Sequence, residues 1–236
     1  MKLEISKTVA EIAVEMPRSI PYFEERGIDY CCGGKKSLRD ACSKVGISVG
    51  EAVKALEMIA QREEGKDTAS HWPNLGTLIQ YILDKHHTYT REQLALVSKL
   101  GSKVLAVHGN HHPELAAIHR LFEEMAEELI DHLLKEEQVA FPFLRALEGE
   151  GEAMPFPYVA FQNGPQRVLL GDHEATGEQF RELHRLTKDY TAPADACVTF
   201  RAFYQGLADL EADLHRHIHL ENNVLFPMAQ KLAEKG

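Results

Sequence analysis

The sequence is short of basic charge, has few cysteines and contains no long apolar run. It sets 26 lysines and arginines against 36 acidic residues, a formal charge of -10. A phosphate backbone would be repelled unless a local basic patch intervened, and none is visible, which excludes nucleic acid as a partner. No apolar stretch approaches the roughly 18 residues that a membrane-spanning helix needs. Glu4 and Glu11 interrupt what would be the apolar core of a signal peptide. A cytoplasmic protein with no membrane partner is therefore expected. The four cysteines, Cys31, Cys32, Cys42 and Cys197, form no spaced framework. Neighbours such as Cys31 and Cys32 pair only through a strained ring, so reduced thiols are the simpler reading. Sustained strand alternation is missing too, which argues against a sheet.

Histidine is what the sequence has in excess, with 13 in 236 residues, clustered near acidic side chains. The first 60 residues read as short helices: Thr8 to Met16, stopped by Pro17, then Ser37 to Val45 and Val49 to Gln61, with a turn around Gly27 and a break at Gly33-Gly34. From Gln61 to Asn74 the chain is polar, carries Gly65 and Pro73, and loses its apolar period. A domain boundary placed there gives a small helical domain over 1–66 and a larger one over 74–236. The larger domain shows four segments with apolar residues at three and four spacing: about Leu75 to Lys99, Glu114 to Glu148, Gln166 to Lys188, and Ala194 to Ala233. Pro113 and Pro193 stand near two segment starts, and Gly149-Glu150-Gly151 closes the second. The prediction is an all-α chain whose C-terminal part is an antiparallel, up-down-up-down four-helix bundle.

An internal repeat carries the chemistry. His132-xxx-Glu136 leads to Phe141-Pro142, and His217-xxx-Glu221 leads to Phe226-Pro227, each 85 residues on. Shifted by one residue, His87 and Thr90 match His173 and Thr176. Histidine and glutamate at i and i+4 share one helix face, so two helices each present an imidazole with a carboxylate, and two more add an imidazole each. A single His-xxx-Glu is ordinarily a solvated pair. Two copies at one spacing, with a matched histidine pair, point instead to four histidines and two glutamates around two metals that share both carboxylates. Such ligands suit iron or manganese, with iron leading, and the lack of a thiolate weakens a structural zinc reading. His108 has no counterpart in the second half and is a candidate fifth imidazole. His86, His119, His184, His215 and His219 read as surface groups or supports, and Phe141-Pro142 and Phe226-Pro227 as core filler with a helix kink or stop.

Cys31-Cys32-Gly33-Gly34 reads as an exposed, mobile thiol pair, with Lys35 and Lys36 placed to lower a thiol pKa. Cys42 and Cys197 read as inert packing residues.

Asp29-Tyr30-Cys31-Cys32-Gly33-Gly34 at the front and His217-xxx-Glu221-Asn222-Asn223-Val224-Leu225-Phe226-Pro227 at the back resemble, in that order and over nearly the full chain, the repair-of-iron-centres family of ScdA-like di-iron proteins. The resemblance implies a short N-terminal domain bearing the Cys-Cys pair and a hemerythrin-like domain bearing two non-haem irons, oxo- or hydroxo-bridged. Carried over by position, the ligands are His87, His108, His132, Glu136, His173, His217 and Glu221, with Glu136 and Glu221 as bridges. The implied role is repair of iron-sulfur clusters damaged by nitric oxide or oxidants, with iron supplied through Cys31 and Cys32 to proteins whose clusters are damaged. Reduction of nitric oxide to nitrous oxide at the di-iron centre, or reversible uptake of nitric oxide or oxygen by a sensor or carrier, are alternatives on the same fold. The resemblance also admits a homodimer.

Overall fold

The computed structural model describes residues 4–61, 72–150 and 155–235. Residues 62–71 of the expected boundary stretch lie outside the described residues, as does Gly151. Among the described residues the chain is helical throughout. There is no strand, only an isolated backbone bridge between Thr8 and Ser37. No helix among them is long and apolar enough to cross a membrane. The chain divides into two compact units, Met1–Leu78 with His215–Gly236, and Ile79–Leu214.

In the first unit α1 (Val9–Glu15) starts at a capping box: Thr8 accepts from the Glu11 N–H while the Glu11 carboxylate accepts from the Thr8 N–H. The sequence reading missed a 3-10 turn at Pro17–Ser19 that leads into α2 (Ile20–Glu25). Pro17 therefore stops one helix and opens the next turn, where its absent N–H has no cost. Ser37 caps α3 (Leu38–Lys44), and α4 (Val49–Gln61) follows. Val9, Ile12, Phe23, Tyr30, Leu38 and Leu56 form the core of this unit.

The second unit is built on α6 (Thr88–His108), α7 (Glu114–Lys135), α10 (Arg167–Thr187) and most of α11 (Val198–Leu220). α7 packs against both α6 and α10. Its buried residues, Leu115, Ile118, Phe122, Met125, Leu129, His132 and Leu133, recur at three and four spacing, one apolar stripe with a histidine in line. Phe122, Phe200 and Phe203 are fully buried there, and each stabilises the unit by about 1.5–3 kcal/mol relative to an exposed ring. The first long segment runs past its expected end at Lys99 to His108. Gly101 does not break it, because a Cβ there would stand 2.9 Å from the Phe203 ring, and the glycine lets the two helices approach.

Among the described residues four widened π turns interrupt the segments: Ile82–His87 between α5 (Leu75–Tyr81) and α6, Glu136–Ala140 before α8 (Phe141–Leu147), Gln162–Gln166 between α9 (Tyr158–Phe161) and α10, and Glu221–Leu225 before α12 (Phe226–Ala233). Pro142 and Pro227 do not stop their helices as expected. The wider preceding turn accommodates the proline ring and its missing donor, and the helix continues. Both repeated glutamates open such a turn, and His87 closes one.

Candidate metal centre

In the second unit, His87, His132, Glu136 and His173 are all buried, with Glu136 at 0% exposure. The ligand atoms of His132, Glu136 and His173 lie within 4.8 Å of one another, as do those of His87 and Glu136. Glu136 divides its carboxylate between them. Its Oε1 is 2.9 Å from His132 Nε2 and 3.8 Å from His173 Nε2, while Oε2 is 3.1 Å from His87 Nε2. The His132 and His173 Nε2 atoms face each other at 3.1 Å.

The outer nitrogens explain that orientation. His132 Nδ1 is 3.2 Å from Asp172 Oδ2, which also accepts from Lys135 Nζ at 2.8 Å. His87 Nδ1 is 2.7 Å from Glu137 Oε1, and Arg91 holds Glu137 through two N–H donors at 2.8 and 3.0 Å. A carboxylate only accepts, so each Nδ1 carries the proton and each Nε2 turns its lone pair inward. Electron-pair donors aimed at one point need a cation between them, a proton or a metal. Burial pushes the Glu136 carboxyl upward. With a proton as that cation, carried on an Nε2, the charge of His132 and hydrogen bonds from His132, His173 and His87 outweigh burial and hold it well below the usual range. Burial is likewise outweighed at Glu137, by Arg91 and His87, and at Asp172, by Lys135 and His132.

In the first unit, His217 and Glu221 stand one turn apart with Nε2 3.4 Å from Oε1, both fully buried. The same segment carries the thiol loop. Asn223 Nδ2 donates to the Tyr30 carbonyl at 3.1 Å and to His219 Nδ1 at 3.0 Å, and lies 3.4 Å from the Cys31 carbonyl. Arg216 holds Glu24, which accepts from the Tyr30 hydroxyl at 3.1 Å. His219 is buried, not a surface group, and burial pulls its pKa down to about 4, leaving a neutral ring able to accept from Asn223. His86 is also buried, against Asp213 at 3.1 Å.

Three expectations change. His108 does not reach the cluster around Glu136: it ends the 21-residue α6 that His87 precedes, roughly 30 Å away along the axis, and its Nε2 lies 3.2 Å from Cys197 Sγ. The thiol pair is not freely exposed. Cys31 is buried, Cys32 half-buried and the sulfurs 3.8 Å apart, in a loop whose Cys31, Cys32 and Gly33 N–H groups all donate to Asp29 Oδ1 at 2.9 to 3.2 Å. The Cys31 thiol is pushed up, by its hydrogen bond to Cys32 and then by burial, not lowered by Lys35 or Lys36. The glycines serve the chain itself: a Cβ at Gly33 would meet Asp29 Oδ2 at 2.7 Å, and one at Gly34 would meet the Ala10 Cβ at 2.8 Å.

Cys42 is buried as expected, whereas Cys197 is exposed at the start of α11. The Phe200 N–H and then His108 lower its pKa to about 7. Thiolate, the reactive form, is then half present near pH 7, so Cys197 alkylation by iodoacetamide is expected to rise through pH 6–8, about two units below an unperturbed thiol. His108→Ala should move that midpoint upward, as read by peptide mass spectrometry across a pH series. Sequence reasoning missed Glu137, Asp172, Arg91 and Asn223. The available signal was a charged residue beside a candidate ligand or one turn from it: Glu137 next to Glu136, Asp172 next to His173 and Arg91 four residues after His87.

Comparison with known proteins places this geometry. The Hemerythrin HHE cation binding domain matches residues 78–229, and the ScdA_N domain, described as a domain of unknown function, matches 5–60. The iron-sulfur cluster repair protein ScdA of Staphylococcus epidermidis is 32% identical over 219 residues, 92% of this chain and 95% of that one. ScdA of Staphylococcus haemolyticus is 32% identical over 218 residues, 92% and 95% of the two chains. The iron-sulfur cluster repair protein YtfE of Yersinia pseudotuberculosis is 33% identical over 224 residues, 95% and 96% of the two chains. With a buried cluster of histidines and a shared carboxylate inside the matched region, the chain belongs to the hemerythrin HHE cation-binding family and is similar over more than nine-tenths of its length to the ScdA and YtfE proteins.

Proposed function

We propose that this protein repairs damaged iron-sulfur clusters, using a non-haem di-iron centre and the Cys31/Cys32 pair. The observation that carries the reading is the division of Glu136 between His132 and His173 on one oxygen and His87 on the other, the disposition a bridging carboxylate needs. His217 and Glu221 are the copies of His132 and Glu136 in the repeat, and the reading assigns them to the same centre on that ground. Nitrogen and oxygen donors without a thiolate fit iron. When bound, the pair of irons supplies redox chemistry and a store of releasable metal. Similarity over nearly the full length of the iron-sulfur cluster repair proteins supports the client class, proteins whose iron-sulfur clusters are damaged.

The chain's own residues do the rest. Asp172 and Glu137 fix the tautomers of His132 and His87, and Asn223 ties the backbone of the thiol loop to the segment bearing His217 and Glu221. Iron is the cargo, and the paired sulfurs of Cys31 and Cys32 are soft acceptors held beside that segment. The test is restoration of activity to a dehydratase whose cluster was destroyed by nitric oxide, with iron counted before and after. Two irons per chain that fall as activity returns are expected, and equal repair by metal-free protein would overturn the donor role. Asp172→Asn and Glu137→Gln are each expected to weaken iron binding about 10–100-fold, measured by chelator competition, because they release the imidazoles they orient.

A further inference from the structure

Thr90 is an anomaly in the second unit. It is fully buried, and its hydroxyl makes no hydrogen bond. Two other helical threonines satisfy themselves: Thr88 donates to the Leu83 carbonyl at 3.2 Å and Thr187 to the Leu183 carbonyl at 2.7 Å. A buried hydroxyl without a partner is costly, and a valine would fill the same space without that cost. Position gives the reason. Thr90 lies three residues after His87 and four before Leu94, on the inward face of α6 between an inward-turned imidazole and the apolar core. The repeat places Thr176 three residues after His173 and four before Phe180, again buried, on α10. On antiparallel α7, Leu129 stands one turn from His132 on the same side, and it joins Leu94, Phe180 and Leu214 in a single apolar cluster.

We propose that Thr90, with Thr176 as its counterpart, supplies the hydrogen bond that holds a small anion of one to three atoms, of the hydroxide, nitrite or azide class, taken up at the metal centre. This rests on the di-iron reading and deepens it. The packed apolar cluster beyond the threonines excludes larger ligands, and a hydroxyl can donate to an anion that leucine and phenylalanine cannot hold.

The test titrates azide into iron-loaded protein by its charge-transfer absorption, and melts the metal-free protein in parallel. Thr90→Val is expected to keep its iron and to bind azide roughly three- to tenfold more weakly, the effect of one lost hydrogen bond. Thr90→Ser should bind within about twofold of the parent, because the hydroxyl is what matters. Metal-free Thr90→Val should melt no lower than the parent, because a methyl replaces an unpartnered hydroxyl. Unchanged azide affinity in iron-replete Thr90→Val, or a metal-free melt clearly below the parent, would overturn the proposal and leave the di-iron reading standing. A parent protein that takes up no iron would sink both.

Discussion

The Glu136→Gln protein is expected to lose both irons while keeping its helices. Glutamine preserves the volume at a position with 0% exposure, so no cavity opens and the α7–α8 segment keeps its packing. What goes is the charge, along with one of the two oxygens. Glu136 is the only carboxylate of its unit whose two oxygens face both His87 and the His132/His173 pair among the contacts described. Removing a group that only orients a ligand already costs about 10–100-fold in metal affinity, so removing a shared ligand should cost more than 100-fold. Metal analysis beside circular dichroism reads the two effects separately. His108→Ala is the matched control: family resemblance makes His108 a ligand, whereas the structure sets it at the far end of α6 beside Cys197, so full iron content is expected. Loss of iron in His108→Ala, or two irons retained in Glu136→Gln, would overturn the assignment.

Both the bundle and the buried histidine-glutamate cluster were legible in the sequence for one reason. The inward histidines fall on the same three-and-four stripe as the core: Leu129 to His132 on α7, and Leu169 to His173 on α10. A duplicated His-xxx-Glu then separates ligands from ordinary core histidines. Distance along the axis was not legible. His108 entered the ligand set through the family resemblance, which carries no distance, and α6 runs on unbroken to set it at the opposite end from His87. Gly101, just beyond Lys99, is a close-approach residue against Phe203, which only the packing reveals. The π turns were hidden as well, because one extra residue per turn barely disturbs an apolar period. Their trace is the proline six residues after each repeated glutamate. The thiol loop was misjudged because its burial depends on partners remote in sequence: Asn223 reaches the Cys31 carbonyl across 192 residues.

That burial shapes the second large expected effect. Cys31→Ser with Cys32→Ser should abolish cluster repair while leaving iron content and the di-iron spectrum unchanged, since neither sulfur belongs to the proposed ligand set. The two single variants should differ. Cys31 is buried, with its pKa raised by Cys32 and by desolvation, so it stays a thiol at neutral pH, whereas Cys32 is half-buried. The thiolate is the form that binds metal or attacks, so the donor proposal makes the more exposed Cys32 the entry thiol, and it should be alkylated first. Under the same proposal Cys31, 3.8 Å away, would join as a ligand only on giving up its proton to a metal held on Cys32. Cys32→Ser is therefore expected to slow repair roughly tenfold or more, and Cys31→Ser to slow it less while impairing retention of iron on the loop. Mass spectrometry of alkylated peptides, run beside the dehydratase assay, orders the two thiols. Unimpaired repair by the double variant would remove the loop from the pathway and leave the bundle to release iron directly.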